Sequence, residues 1–174
     1  MSEEEHGTTV LVVYDCMVFL QGLVRESGPA VACLELFERE EVELLISNDV
    51  LLEIKDVLTR PKLLAKFPRL TQERVDTLIK TLHKKAQFIG FVPRRFEYAR
   101  DPKDERYINL ALAAGAKYIV SRDTDLLDLM DERKQGAKEF QAEFPTLTII
   151  DPVAFLKIVR SLRETTKGKG GAES

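Results

Sequence analysis

Acidic residues follow the ends of apolar segments at several places in this chain. Asp15 comes directly after the apolar run Val10–Tyr14, and Asp123 follows the apolar segment Tyr118–Ser121. An aspartate next to five apolar residues is costly to bury unless it has a partner or a cation. Carboxylates that cluster repel one another and usually mark a bound cation. The acids that we expect to meet at one edge of a sheet are Asp15, Glu53, Asp104 and Asp123, with Asp125 close by.

Helix geometry places two of these acids. Glu53 falls beside the apolar stripe of the helix predicted after the second strand, so its carboxylate can point toward a pocket. If Asp101 is the N-cap of a later helix and Pro102 its first residue, Asp104 is the third, where the helix dipole favours a negative charge. Capping alone explains Asp101. Each acid taken singly fits a structural role, but four acids from different elements at one sheet edge favour a site.

Several other kinds of active site lack their motifs. The chain has no GxGxxG, no GxxxxGK[ST] and no GxSxG, and it has only two His and two Cys. These two Cys and two His cannot form the usual Cys/His zinc site. An aspartyl nucleophile of the phosphatase type needs a second Asp two residues on, but Met17 occupies that position. An all-carboxylate site for a divalent metal remains.

The hydrophobic pattern alternates between strands and helices. Short connections between them predict an α/β fold, a three-layer α/β/α sandwich around a mostly parallel sheet of about five strands. Ligand sites in such sheets form at the carboxyl ends of the strands. The predicted strands are Val10–Tyr14, Val42–Ile46, Phe88–Val92, Tyr118–Ser121 and Thr146–Ile150. The predicted helices cover Ala30–Arg39, a segment from Ser47 or Asn48 to before Pro61, a segment after Thr71, Asp101 to Gly115, and Asp151 to about Leu162, with Asp131–Pro145 a partly helical loop.

Length and composition suit one globular domain. The chain has 174 residues, of which 44% are hydrophobic and 32% charged, and no apolar run approaches the ~20 residues that span a bilayer. The N-terminal segment is acidic and polar, unlike a signal peptide. We therefore expect a single domain over residues 1–162, a disordered tail over 163–174, a cytoplasmic location and no membrane partner.

Charge is unevenly distributed along the chain. Residues 59–95 hold ten basic and two acidic residues, a net charge of +8, which leaves −11 for the rest of a chain whose total is −3. Such a segment is either a solvated helical surface or a binding surface for a polyanion such as a nucleic-acid backbone. The candidates for backbone contacts are Arg60, Lys62, Lys66, Lys80, Lys84 and Lys85.

These residues in this order resemble a PIN domain, a family of metal-dependent ribonucleases that includes many bacterial toxins. The resemblance covers roughly residues 8–160 and depends on VLVVYD, ISNDVLLEI and DPKDERYINLALAAGA followed by KYIVSRDTDLL. The closing TIIDPVAFL resembles the toxin components of toxin–antitoxin systems. The resemblance assigns the family's four acids to Asp15, Glu53, Asp104 and Asp123, with Asp125 and Ser121 as auxiliary residues.

The resemblance implies a Mg²⁺- or Mn²⁺-dependent endoribonuclease that cleaves single-stranded RNA, and the toxin of a toxin–antitoxin pair. It also allows a protein antitoxin and a homodimer as partners. One position departs from the family pattern, because Met17 stands where a polar residue is common and cannot donate a hydrogen bond. The alternative hypothesis is therefore a catalytically weakened PIN fold that serves as an RNA-binding or protein-interaction module.

Overall fold

A computed structural model describes residues 9–170 of the chain. The acidic N-terminal segment up to residue 8, and residues 171–174 of the predicted tail, lie outside the described residues. Among the described residues, no helix combines the length and the apolar composition that crossing a bilayer requires.

A five-stranded sheet forms the centre of the described structure, and every strand pairing in it is parallel. Its strand order is β3-β2-β1-β4-β5. This confirms the α/β fold predicted from the sequence. The strands are β1 (Leu11–Tyr14), β2 (Glu43–Ile46), β3 (Gln87–Phe88), β4 (Tyr118–Val120) and β5 (Thr148–Ile150).

Helices surround this sheet. Ser47 and Thr71 act as N-caps, as the sequence predicts, and each accepts a backbone N–H bond at 3.2 Å. Gly115 ends a helix in the left-handed conformation, with φ of +69°, which glycine adopts without steric cost. The helices are α1 (Cys16–Val24), α2 (Pro29–Glu38), α3 (Asn48–Leu58), α4 (Pro61–Lys66), α5 (Gln72–Lys85), α6 (Glu105–Ala114), α7 (Thr124–Leu127), α8 (Ala137–Glu143) and α9 (Pro152–Gly170), with 3₁₀ turns at Pro102–Asp104 and Asp128–Met130.

The central strand β1 is buried on both of its faces. Val12, Val13 and Tyr14 are each almost fully buried, although consecutive side chains of a strand point to opposite faces. The rings of Tyr14 and Tyr118 both pack against Phe155 of α9. Helix α6 packs on β1, β2 and β4. Layers of helix therefore cover both faces of the sheet, which agrees with the predicted three-layer sandwich.

Several elements differ from the sequence-based prediction, and among them the short helices α4 and α7 were not predicted. Helix α1 was not predicted, because its sequence CMVFLQGLV is apolar nearly all round and shows no polar stripe. The predicted strand Phe88–Val92 is wrong in its extent: β3 covers only Gln87–Phe88 at the edge of the sheet, and Gly90 and Pro93 follow within five residues. Helix α9 continues to Gly170, past the predicted end near Leu162.

Candidate metal centre

Asp15 lies at the carboxyl end of β1 and is the N-cap of α1. One of its carboxylate oxygens accepts the backbone N–H of Val18 at 3.1 Å, and the other accepts the hydroxyl of Ser121. The side chain is only 3% exposed. Both oxygens therefore have a protein donor, and each keeps a second lone pair for another ligand.

Ser121 connects Asp15 with Asp123. Its hydroxyl is fully buried at the end of β4, donates to Asp15 and accepts the backbone N–H of Asp123 at 2.9 Å. Asp123 in turn caps α7 by accepting the N–H of Asp125 at 2.8 Å. One hydroxyl thus fixes the distance between two acids that come from neighbouring strands.

Asp104 ends the 3₁₀ turn that precedes α6. It is only 6% exposed, and its Oδ2 atom is buried without a hydrogen-bond partner among the described residues. A buried carboxylate oxygen without a donor is costly to maintain. This orphaned atom is the feature of the site that most directly calls for a cation or a proton.

Asp104 belongs to a group of four carboxylates. Asp101, Asp104, Asp123 and Asp125 each place one oxygen so that all four lie within 4.8 Å of one another. Hard oxygen donors at this spacing are the ligand type that Mg²⁺ and Mn²⁺ prefer. The residues present therefore fit a divalent cation.

Of the four predicted metal ligands, Asp15 and Glu53 lie outside this group of four, and Glu53 is already paired. Its Oε2 atom accepts the hydroxyl of Tyr107 at 2.9 Å and contacts Nε of Arg106 at 3.1 Å. The Tyr107 hydroxyl also accepts the backbone N–H of Cys16 at 3.1 Å. Tyr107 thus links α3, α6 and the start of α1, and it fixes Glu53 at one side of the site.

A cleft of about 510 Å³ exposes these groups to solvent. Six acidic and three basic side chains line it, together with the apolar Met17, Leu52 and Val57. The excess of acids means that the cleft repels a phosphate unless a cation or protons neutralise it. The lining acids are Asp15, Glu53, Asp56, Asp101, Asp104 and Asp123, and the lining bases are Arg60, Lys103 and Arg106.

Burial and mutual repulsion raise the pKa values of two of these acids. Burial raises the pKa of Asp15 to about 6, although the hydrogen bonds from Ser121 and from the N–H of Val18 oppose the shift. Burial, followed by the charges of Asp123, Asp101 and Asp15, raises the pKa of Asp104 to about 8. Without a metal, this raised pKa favours the protonated form of Asp104 at neutral pH.

The positively charged side chain of Arg100 holds Asp125 on the outer side of the group of four carboxylates. Its carboxylate pairs with Arg100 at 2.7 Å, and the same guanidinium pairs with Asp128 at 2.7 Å. Tyr98 donates to the backbone carbonyl of Asp125 at 2.8 Å. These contacts position Asp125 without filling the cleft.

The basic segment 59–95 divides into two kinds of residue. Arg60, Arg69 and Arg94 pair with acids, and Arg74 and Lys85 donate to backbone carbonyls. The remaining candidates for backbone contacts are exposed and form no ion pair within residues 9–166: Lys62, Lys66, Lys80 and Lys84. Of the six predicted backbone contacts, the cleft itself includes Arg60 alone.

The structure brings Asp15, Glu53, Asp104 and Asp123 to one cleft, as the sequence predicts, and places Ser121 between two of them. The structure also brings to the site residues that the sequence analysis did not assign to it. Asp101, assigned only to capping, does accept the N–H of Lys103 at 3.1 Å, but its carboxylate also joins the group of four. Sequence reasoning missed the residues Arg106 and Tyr107. The signal for Tyr107 was its position three residues after Asp104, which places both on one face of the helix.

One family of known proteins matches the chain. The family model for the PIN domain matches residues 11–125. No curated protein matches the chain. Among solved structures, the chain is similar to one from the crystal structure of VapBC2 from Rickettsia felis bound to a DNA fragment from their promoter. The identity is 14%, the match covers 82% of this chain and 98% of that one, and the TM-score is 0.49.

Proposed function

The chain belongs to the PIN domain family, whose members are generally nucleases, and on that premise we propose that it is a divalent-metal-dependent endoribonuclease. The observation that carries the proposal is the buried Oδ2 atom of Asp104, which has no hydrogen-bond partner among the described residues, on a side chain that belongs to a group of four carboxylates. A surface that only bound another protein would have no need to bury an acid in this way.

Asp15, Asp104 and Asp123 would hold the cation, which is Mg²⁺ or Mn²⁺. Asp101 and Asp125 lie close enough to Asp104 and Asp123 to contribute, and waters would complete the octahedral set of six ligands that Mg²⁺ requires. Arg106 and Tyr107 already occupy the Oε2 atom of Glu53, so Glu53 would act through its other oxygen, directly or through water. A cation bound there supplies a water of lowered pKa and positive charge at the scissile phosphate.

The chain's own residues prepare the site for that chemistry. Ser121 holds Asp15 and Asp123 at a fixed separation, so these acids need little rearrangement when an ion binds. Asp104, whose pKa is raised to about 8, would have to release its proton in order to act as a ligand. Tyr107 orients Glu53 from the opposite side.

RNA would enter along the basic rim of the cleft. Arg60, Lys103 and Arg106 line the cleft beside the acids. Phosphates on either side of the scissile phosphate could therefore contact a positively charged side chain. The exposed lysines of α4 and α5 would extend this contact along the backbone. Such contacts position a nucleic acid with little reading of its sequence. The preference for single-stranded RNA comes from the family resemblance.

The test compares cleavage of a single-stranded RNA by the wild-type chain and by Asp104→Asn, with Mn²⁺ and with EDTA. We expect cleavage only by the wild type and only with Mn²⁺, because the substitution removes a ligand charge but little volume. Asp76→Asn is the matched control, since Asp76 is exposed on α5 and an amide can still accept the bond from Gln72. Equal cleavage by Asp104→Asn would contradict the proposed site.

RNA binding without cleavage by the wild type would favour the alternative, a weakened PIN fold that serves as an RNA-binding module.

We propose further that the cellular role is that of a toxin with a protein antitoxin, supported by the resemblance of TIIDPVAFL to toxin components. Induced expression should then stop growth with the wild type and not with Asp104→Asn. The two buried free thiols, Cys16 and Cys33, support a reducing cytoplasm.

A further inference from the structure

Two exposed apolar side chains stand at the mouth of the acidic cleft. Met17 is 40% exposed and Leu52 is 64% exposed, and both line the cleft together with half-buried Val57. Few large hydrophobic residues of the described chain are this exposed, and apart from these two they lie outside the cleft. Exposed apolar groups that gather beside polar ones often mark a binding site.

Their positions follow from the residues that build the metal centre. Met17 is two residues after Asp15, at the start of α1, and Leu52 directly precedes Glu53 on α3. Helices α1 and α3 are in contact, and both side chains line the same cleft. Leu52 remains largely in solvent, and Met17 keeps two fifths of its surface there, so the folded core buries neither side chain completely.

We propose that Met17 and Leu52 form an apolar wall that receives the nucleobase next to the scissile phosphate. This inference rests on the proposed function. A nucleotide joins an anionic phosphate to a flat base with an apolar face, and the cleft offers acids for a cation, three basic side chains and this wall. A duplex hides its base faces by stacking, so the wall selects single strands.

The size of the apolar surface favours a base over a second copy of the chain. A stable protein interface buries about 800 Å² on each partner. Two side chains beside six acids do not supply such a patch, whereas a single base needs only a small contact. The proposal also gives a role to Met17, where the family pattern has a polar residue.

The test uses two substrates, an oligouridylate and the same oligomer with abasic residues beside the mapped cleavage point. The variants are Met17→Ala and Leu52→Ala, and Leu162→Ala is the matched control because Leu162 is 44% exposed on α9, away from the cleft. With Mn²⁺ we expect the wild type to prefer the intact oligomer by about fivefold in kcat/KM, mainly through KM. Each cleft variant should lower that preference, and the double variant should abolish it. Their Mn²⁺-induced rise in Tm should stay that of the wild type.

The outcomes separate the two proposals. No Mn²⁺-dependent cleavage of either oligomer by the wild type would refute the proposed function, and the wall with it. Cleavage with the same preference in the wild type and the double variant would refute the wall alone. Light scattering that shows a wild-type dimer and a Leu52→Ala monomer would assign the surface to a second copy and overturn the proposal.

Discussion

Replacing Asp104 by asparagine should make the metal-free protein more stable at neutral pH. The folded chain keeps a proton on Asp104 up to a pKa of about 8, whereas the unfolded chain releases it near the ordinary value of 3.8. Between these values the folded state binds more protons than the unfolded state, so stability falls as pH rises from about 4 to about 8. Asparagine does not ionise and removes this loss.

The size of the effect follows from the pKa shift. Roughly three pH units separate the ordinary value from pH 7, and each unit corresponds to 1.36 kcal/mol, so the loss at pH 7 is at most about 4 kcal/mol. We expect Asp104→Asn to recover about 1–4 kcal/mol of the free energy of unfolding. The range extends below the maximum because the repulsion is spread over several neighbouring acids. For a chain of this size each kcal/mol raises Tm by about 2–4 °C. A shallower fall between about pH 4 and 6 should remain from Asp15.

The measurement is urea unfolding of the wild type and the variant from pH 4 to pH 8 in EDTA, repeated with Mn²⁺. A cation that binds only the folded state at a hundred times its Kd should stabilise the wild type by about 2.7 kcal/mol, and the variant by much less. Asp76→Asn should follow the wild type under all conditions. A variant that is less stable than the wild type at pH 7.5 in EDTA, with a parallel pH profile, would refute the reasoning.

Three more predictions concern the groups around the acids. Tyr107→Phe should cost about 1–3 kcal/mol in urea unfolding, because it leaves the buried N–H of Cys16 without an acceptor. Ser121→Ala should raise the pKa of Asp15 further, since it removes a hydrogen bond that favours the charged form, and NMR titration of the carboxyl carbon should show the shift. Lys84→Glu, measured by RNA binding in a cleavage-inactive background, should weaken binding and reduce the log–log salt slope by at least about 0.7 if this exposed lysine contacts a phosphate. An unchanged slope would assign Lys84 to solvation alone.

Local sequence signals account for most of the fold and for part of the site. The run Val10–Tyr14 predicted a strand buried on both faces, and the Asp101-Pro102 pair predicted where a helical segment begins. Helix α1 was not predicted, because a helix that is buried on nearly all sides lacks the polar stripe by which a helix is recognised. Sequence patterns indicate which face of an element is buried, but they fail where every face is.

The partners of the acids could not be predicted in the same way. Tyr107 reaches Glu53 and the backbone of Cys16 across 54 and 91 positions of the chain, and no local pattern encodes such pairs. Asp101 was missed for a second reason. Its role as an N-cap fully explained why an aspartate stands there, so no sequence pattern indicated that it belongs to the site as well. Its carboxylate joins Asp104 only because the 3₁₀ turn brings both acids beside the end of β4.

The two most buried acids of the cleft differ in what supports them, and this difference divides their roles. Asp15 has a donor for each oxygen, from Ser121 and from the N–H of Val18, so its geometry is fixed whether or not a cation binds. Asp104 has a buried oxygen without a donor, so a proton or a cation must occupy that place in turn. Asp104 is not part of the core around β1 and Phe155. Replacing a proton by a cation at its carboxylate therefore need not disturb the sheet. In the proposed metal site, Asp15 would therefore provide the fixed geometry, and Asp104 would be the acid through which pH controls whether a metal can bind.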